Sequence, residues 1–263
     1  MVNSKGKIHR LPIIGSLLSR LEQDVAEAGI QEAMRRIAVR TKTKLHVHHD
    51  HPDTVTILQK HPVVLVANHP FEAETIALLA ALPSREDTYI IINASFVNIS
   101  RNLNKYLIPV YIRHHYKEGT MRLLSGRFLD YVHESEKLLP DEEHKRNIEN
   151  IRLAGDKVQK GGMVVIYPDR RSIGEQWFPG VGHLLQNIGA KSAAYYVKAH
   201  IQGMSHADYL RLFPGIRRFL PPISVRFSPP KRLVDIMDTR DDAKTTTRNL
   251  HLDYQQWVQS KRL

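Results

Sequence analysis

A histidine and a glutamate five residues apart, His69 and Glu74, have the side-chain types that acid–base chemistry requires. The apolar run 63–67 is typical of a buried strand and leads directly into Asn68-His69-Pro70, where Pro70 suits the first turn of a helix. This pattern predicts that His69 lies at a strand-to-helix turn. Because residues five apart on one helix point about 140° apart, His69 can reach Glu74 only if it precedes the helix and folds back over its first turn.

At such a turn the histidine would lie beyond the carboxyl end of a strand, where open α/β sheets bind their ligands. A carboxylate bonded to one ring nitrogen would fix the tautomer, and the other nitrogen could take a proton from a hydroxyl. These are the base and the orienting carboxylate of a hydrolytic triad, without a protein nucleophile. Spacing alone favours a simpler interpretation, a histidine that caps a helix beside a surface glutamate.

Two further strand-to-turn segments carry charged residues. The apolar run 163–167 leads into a polar turn, which contains Asp169, Arg170, Arg171 and Ser172. Two arginines beside an aspartate would suit a phosphate or the pyrophosphate of CoA, since guanidinium binds such groups bidentately. A basic loop closed by a local ion pair explains the same residues. Arg113 likewise stands directly after an apolar run, 108–112.

Short apolar runs that alternate with helical stretches must position these turns. The strand candidates are 63–67, 89–94, 108–112, 163–167, 193–201 and 223–227, and the helix candidates are 71–82, 96–107, two segments within 121–160, 181–188 and 241–260. This order predicts an α/β layered domain with a mostly parallel or mixed central sheet flanked by helices. Proline pairs bracket the last strand and predict a place near the sheet edge, because proline cannot donate to a strand ladder.

The first forty residues have a different pattern. Apolar residues recur at near-helical spacing among Arg and Glu, which predicts an N-terminal amphipathic helical region, 1–42, before the α/β domain, 43–263. A basic amphipathic helix can lie in a bilayer interface, but such helices more often cover their own core. Both alternatives stay open from the sequence.

The composition limits the kinds of partner and chemistry. The formal net charge of +11 favours a polyanion such as nucleic acid, an anionic bilayer or a phosphorylated substrate, and the absence of cysteine excludes thiol nucleophiles and thiolate metal sites. No stretch approaches the roughly 18 to 20 consecutive apolar residues of a spanning helix, and no secretory signal is evident at the start. We therefore expect a cytoplasmic protein whose membrane contact is peripheral.

Three other functions have weaker support. The segment His46-Val47-His48-His49-Asp50-His51 offers metal ligands, but strand alternation separates the histidines, so a polar strand end and turn is the preferred interpretation and no metal site is predicted. Nucleic-acid binding lacks a recognition motif, and we expect no nucleic-acid partner. A serine hydrolase would need a G-x-S-x-G elbow, which the sequence lacks.

The three polar turns, in this order, resemble the motifs of the glycerolipid acyltransferase family typified by 1-acylglycerol-3-phosphate acyltransferase. The family has Asn-His, four residues, then Asp; a strand ending in Arg; and a strand followed by Phe-Pro-Glu-Gly-Thr-Arg-Ser. The corresponding residues are Asn68-His69 with Glu74, the strand up to Arg113, and 167–172. The aromatic and glycine turn 177–182, the strand 193–203 and the strand 223–230 extend the resemblance over roughly residues 55 to 235.

The third motif departs from the family pattern. Asp169 replaces the glutamate, Arg170 stands where glycine is expected, and one position is missing before Arg171-Ser172. Glu74 stands where most members have Asp, although the lipid A acyltransferase relatives accept Glu. The altered third motif puts a glycerol-3-phosphate-type acceptor in doubt and raises the alternative of a decayed acyltransferase that binds lipid or membrane without turnover.

The resemblance implies a specific reaction. His69 would deprotonate a lipid hydroxyl, such as that of a lysophospholipid, which attacks the thioester of acyl-CoA or acyl carrier protein. Glu74 would orient His69. The acceptor would contact the residues Asn68, Arg113, Asp169, Arg170, Arg171 and Ser172. The resemblance implies no metal and no cofactor beyond this co-substrate, and the expected partners are an anionic membrane surface, the acyl donor and a lipid acceptor.

Overall fold

The computed structural model describes residues 12–70, 74–97, 100–111, 138–169, 177–205, 208, 210–211 and 219–261. The helices of this part of the chain are α1 (Pro12–Arg40), α2 (Thr54–Lys60), α3 (Glu74–Ala81), α4 (Pro140–Gln159), α5 (Gly180–Ile188), α6 (Leu233–Ile236) and α7 (Ala243–Ser260). The strands are β1 (Leu45–His49), β2 (Val63–Ala67), β3 (Thr88–Asn93), β4 (Leu107–Val110), β5 (Met163–Ile166), β6 (Tyr195–Gln202), β7 (Ile223–Phe227) and β8 (Lys231–Arg232).

The strands form one mixed sheet in the order β1-β7-β6-β2-β5-β3-β4, with β8 also paired to β6. Neighbours are parallel except that β7 and β8 run antiparallel to β6. The predicted α/β layered fold with a mixed central sheet is confirmed. β7 lies one strand in from the edge, which agrees with its flanking prolines. The edge strand β1 is absent from the six strand candidates, and it includes part of the histidine segment that was interpreted as a polar strand end and turn.

Apolar side chains cover both faces of the sheet. Residues of α1 and α3 pack on one face, and residues of α4, α5 and α7 pack on the other. β2 is buried along its whole length because it lies in the middle of the sheet between β6 and β5. The strand that leads into His69 is therefore among the most rigidly held parts of the protein.

α1 belongs to the first of these layers. The predicted helical residues Val25, Ile30, Met34 and Ile37 are buried in the core with α3, so this stretch covers the sheet. Gly29 interrupts the helix with φ 80° and ψ 174°, a conformation that is essentially restricted to glycine. Within the described residues, no helix is both long and apolar enough to cross a membrane. The division of the chain at residue 42 stays a prediction.

One predicted helix, 96–107, is wrong. The described part of this segment contains two short 3₁₀ turns, Ala94–Phe96 and Asn104–Tyr106, before β4 begins. Glu22 of α1 explains the difference, since its carboxylate accepts hydrogen bonds from the Ser100 hydroxyl and, at 3.0 Å, from the Asn102 backbone amide. A long-range partner thus satisfies polar groups that a helix would have satisfied locally.

Candidate active site

The turn after β2 is fixed to the neighbouring strand by Asn68. Its buried side-chain amide donates to the Ile201 carbonyl at 2.9 Å and accepts from the Ile201 backbone N–H at 2.8 Å. Both polar ends of the side chain therefore bond to β6. This contact makes Asn68 an anchor of the turn, and its predicted contact with substrate stays a prediction.

His69 and Glu74 meet at this turn, as the sequence requires for a catalytic pair. Nδ1 of the His69 ring lies 2.5 Å from Oε1 of Glu74, and the side-chain exposures are 29% and 1%. Glu74 is the first residue of α3, where the helix dipole favours a negative charge. The carboxylate is thus enclosed in protein, while the histidine keeps one side accessible to a ligand.

The Tyr167 ring packs beside this pair. Its centroid lies 5.4 Å from that of the His69 ring, at an interplanar angle of 37°. Burial raises the pKa of the Tyr167 hydroxyl well above its ordinary value, and the Glu74 carboxylate raises it further. Tyr167 therefore stays a neutral aromatic wall at every pH relevant to catalysis.

Asp169 places a second carboxylate beside His69. Burial raises the pKa of Asp169 to about 6, the His69 ring and backbone amide act in the opposite direction, and Glu74 adds to the rise. The Oδ1 atom is buried and has no hydrogen-bond partner among the residues that the structure describes. Oδ1 of Asp169 therefore keeps unused acceptor capacity close to the His69 ring.

We expect the substitution Asp169→Asn to remove a pH-dependent loss of stability. The folded-state pKa is about 6 and the ordinary value is 3.8, so the folded protein binds more protons between these values. The free energy of unfolding should therefore fall by up to roughly 3 kcal/mol as the pH rises from about 4 to above about 6. The asparagine variant lacks this fall, which urea unfolding across this pH range measures.

The exposed carboxyl of Asp238 supplies a control for this experiment. Hydrogen bonds from Arg240 lower its pKa to about 2, so Asp238→Asn should leave the slope between pH 4 and pH 7 unchanged. An Asp169→Asn variant that keeps the wild-type slope would contradict the assignment of the buried proton to Asp169.

The other predicted binding residues have no described positions. Arg113, Arg170, Arg171 and Ser172 lie outside the described residues, and their roles stay predictions. The aromatic and glycine turn after them is described: Trp177 is buried, and the Phe178 backbone N–H donates to the Pro168 carbonyl at 2.8 Å. This bond closes the polar turn at its end next to Asp169.

The histidine-rich segment around β1 does not gather ligands. The described parts of the chain contain no group of three or more His, Cys, Asp or Glu side chains that could hold a metal ion. The His49 ring stacks on Phe227 with centroids 5.3 Å apart, and Asp50 pairs with Arg226 at 2.7 Å. Both contacts attach the edge strand to β7.

Sequence reasoning missed two polar residues near the turn, His200 on β6 and Tyr254 on α7. Nδ1 of His200 lies 2.9 Å from the Tyr254 hydroxyl. Neither residue has a local motif, and their sequence separation of 54 residues hides the pair. Only the packing of α7 on the sheet brings them together.

Comparison with solved structures finds an acyltransferase of similar architecture. The crystal structure of the 1-acyl-sn-glycerophosphate (LPA) acyltransferase PlsC from Thermotoga maritima aligns with 94% of this chain and 88% of its own, with a TM-score of 0.51 and 14% sequence identity. The two proteins share a fold. No protein-family model matches the chain, and no curated protein matches it. At this identity the likeness to PlsC supports the fold that the sequence motifs predicted.

Proposed function

We propose that the protein is an O-acyltransferase that moves a fatty acyl group from acyl-CoA or acyl carrier protein to a lipid hydroxyl, such as that of a lysophospholipid. The observation that carries the proposal is the contact between Nδ1 of His69 and the buried Glu74 carboxylate at the end of a central strand. The likeness in fold to PlsC supports the same class of reaction.

The chemistry follows from the orientation of the His69 ring. Because Nδ1 faces the Glu74 carboxylate, Nε2 is the nitrogen that takes the proton of the acceptor hydroxyl. The hydroxyl oxygen attacks the thioester carbonyl, the tetrahedral adduct collapses, and the carbon–sulfur bond breaks. The proton on Nε2 passes to the departing thiolate, which leaves as CoA or the carrier thiol.

Substrate recognition is assigned to the polar turns around this pair. Arg113, Arg170 and Arg171 are proposed to bind the phosphate or head group, and Ser172 is proposed to bind the same group. Asp169 is proposed to accept a hydrogen bond from the acceptor. The net charge of +11 suits an anionic bilayer, so we propose that the protein works as a peripheral enzyme on the cytoplasmic face of a membrane.

Acyl transfer is tested by incubating the purified protein with long-chain acyl-CoA and a panel of lysophospholipids and lipid alcohols in anionic vesicles. We expect release of CoA that depends on the acceptor, and an acylated lipid detected by mass spectrometry. Release of CoA without acceptor would identify a thioesterase instead. Vesicle binding without product, from either acyl-CoA or acyl carrier protein, would identify a lipid-binding protein without turnover.

The substitution Glu74→Gln tests separately how the Glu74 charge affects kcat and how it affects the melting temperature. Loss of the charge weakens His69 as a base, so kcat should fall by about 100-fold, at the lower end of the contribution that a general base makes. Oε2 of Glu74 is buried without a hydrogen-bond partner in the described part of the chain, whereas Oε1 contacts Nδ1 of His69 and the helix dipole favours the charge. Removal of the charge therefore has opposing effects on stability, and the melting temperature should change little. Steady-state kinetics and thermal unfolding measure the two effects.

Glu142 is the matched control for this glutamate. It lies half exposed at the start of α4 and pairs with Arg146 at 3.1 Å, so Glu142→Gln should change neither activity nor melting temperature appreciably. A Glu74→Gln variant with wild-type kcat would refute the orienting role of Glu74.

A further inference from the structure

α7 is fastened to the sheet on both sides of Tyr254. The neighbouring Asp253 carboxylate pairs with Lys198 at 2.6 Å and with Lys231 at 2.8 Å. One turn further on, Nε1 of Trp257 donates to Oδ2 of Asp50 at 2.9 Å. These contacts fix the position of the helix along the strands, so the Tyr254 ring between them has little freedom to move.

The Tyr254 hydroxyl reaches through this layer to the backbone of β6. It donates to the Ala199 carbonyl at 2.9 Å and lies 2.9 Å from Nδ1 of His200. Because its single hydrogen is directed at the carbonyl, Nδ1 of His200 must supply the hydrogen of the second bond. Burial lowers the pKa of His200 to about 4, so the ring is neutral at physiological pH and is held in one tautomer.

The same hydroxyl lies beside the catalytic turn. Burial raises the pKa of Tyr254 well above its ordinary value, the Asp169 carboxylate raises it further, and a hydrogen bond from the Asn68 backbone amide acts in the opposite direction. Ala199 is the register partner of Ala67, the last residue of β2. Tyr254 therefore bonds to β6 at the position that pairs with the end of β2.

Two sets of hydrogen bonds thus hold the same short section of β6, residues 199–201. The Asn68 side chain holds Ile201 through two hydrogen bonds, and Tyr254 holds Ala199 and His200 from the opposite layer. His69 is the next residue after Asn68, so a shift of this section displaces the base relative to its substrate.

We propose that Tyr254 is a positioning residue for acyl transfer, which holds the His69 turn in its productive place through Asn68, Ala199 and His200. This inference rests on the proposed function, because it assigns the C-terminal helix a part in that reaction. Tyr254 touches neither substrate nor the reacting atoms in this role.

The test compares Tyr254→Phe with Trp257→Phe in the full-length protein. Tyr254→Phe removes the hydroxyl that bonds Ala199 and His200, and Trp257→Phe removes the bond to Asp50. Both variants keep an aromatic ring, and each should lower the melting temperature by at least about 2–4 °C. Only Tyr254→Phe should lower kcat, by about tenfold and with little change in KM, because misplacement of a catalytic group lowers the rate of the chemical step. Equal kcat values in the two variants would overturn the proposal.

Two additional measurements separate the positioning role from the reaction itself. His200→Asn keeps an N–H donor close to the position of Nδ1 and should have the wild-type kcat. His200→Leu has no donor, and its kcat should fall as much as that of Tyr254→Phe. The ¹H–¹⁵N resonances of the His69 ring, which need no turnover, should shift in Tyr254→Phe and stay in place in Trp257→Phe. Wild-type resonances in Tyr254→Phe would refute the inference even if acyl transfer is established. Absence of acyl transfer in the wild type would refute the proposed function, and the His69 resonances would then still decide whether Tyr254 positions the His69 turn.

Discussion

Replacement of His69 by alanine is expected to lower kcat/KM for acyl transfer by about 10³-fold. The substitution removes the only imidazole that lies against the buried Glu74 carboxylate in the described structure, and alanine has no group that can take the proton of the acceptor hydroxyl. Acceptor-dependent CoA release, measured at several acceptor concentrations, gives the change in kcat and KM separately. We expect the loss mainly in kcat, since a base acts in the transition state.

His183 supplies the matched control for this experiment. It is an exposed histidine on α5, and His183→Ala should keep wild-type kinetics. His69→Ala removes a partly exposed side chain but leaves the buried Glu74 carboxylate without its His69 contact, so we expect a folded variant with a lowered melting temperature, which circular dichroism checks. Equal activity of His69→Ala and the wild type would remove the catalytic assignment, whatever the acceptor.

Gly182→Ala is expected to cause the largest loss of stability. Gly182 lies in α5 against the start of α7, where a Cβ atom would be 2.0 Å from the Ala243 carbonyl oxygen and 2.6 Å from Oγ1 of Thr247. The Gly182 backbone N–H also donates to this hydroxyl at 3.1 Å. The helices must separate to admit the methyl group, at a cost of about 3 kcal/mol in the free energy of unfolding.

This cost corresponds to a fall in melting temperature of roughly 6–12 °C for a chain of this size. Urea unfolding followed by circular dichroism measures the free energy, and calorimetry measures the temperature. Gly180 is the control, because its Cβ atom would lie 3.9 Å from Cδ1 of Ile151 at ordinary contact distance. Gly180→Ala should be neutral or slightly stabilising, and a similarly mild Gly182→Ala would contradict the close helix contact.

The fold was predictable from the sequence where strands are buried on both faces. β2 and β5 are continuous apolar runs, because both of their faces are covered by helices. β1 lacked this signal: His46, His48 and His49 are exposed on an edge strand, and its conformation depends on parallel pairing with β7. The helix predicted for 96–107 was wrong for a related reason. The Glu22 side chain of α1 accepts a hydrogen bond from the Asn102 backbone amide, and no local sequence pattern indicates this contact.

The candidate site was predictable to the extent that it depends on local geometry. The turn chemistry around His69 and the position of Glu74 on the first helical turn follow from residues close in sequence, and the structure brings the two side chains together. The bond between Asn68 and Ile201 joins residues 133 positions apart, and the contact of Tyr254 with Ala199 joins residues 55 positions apart. Such contacts follow from the strand order and from the packing of α7, which one sequence does not specify.

The parallel pairing of β2 with β5 has a consequence for how this chain can change in length. Val66 pairs with Ile166, so His69 and Asp169 each follow the paired positions by three residues and emerge side by side. An insertion or deletion between Ile166 and Asp169 would turn the carboxylate toward the other face of the sheet. The third motif is one residue shorter than the acyltransferase pattern, and the missing position falls after Asp169. A change in length there does not alter the position of Asp169 relative to His69.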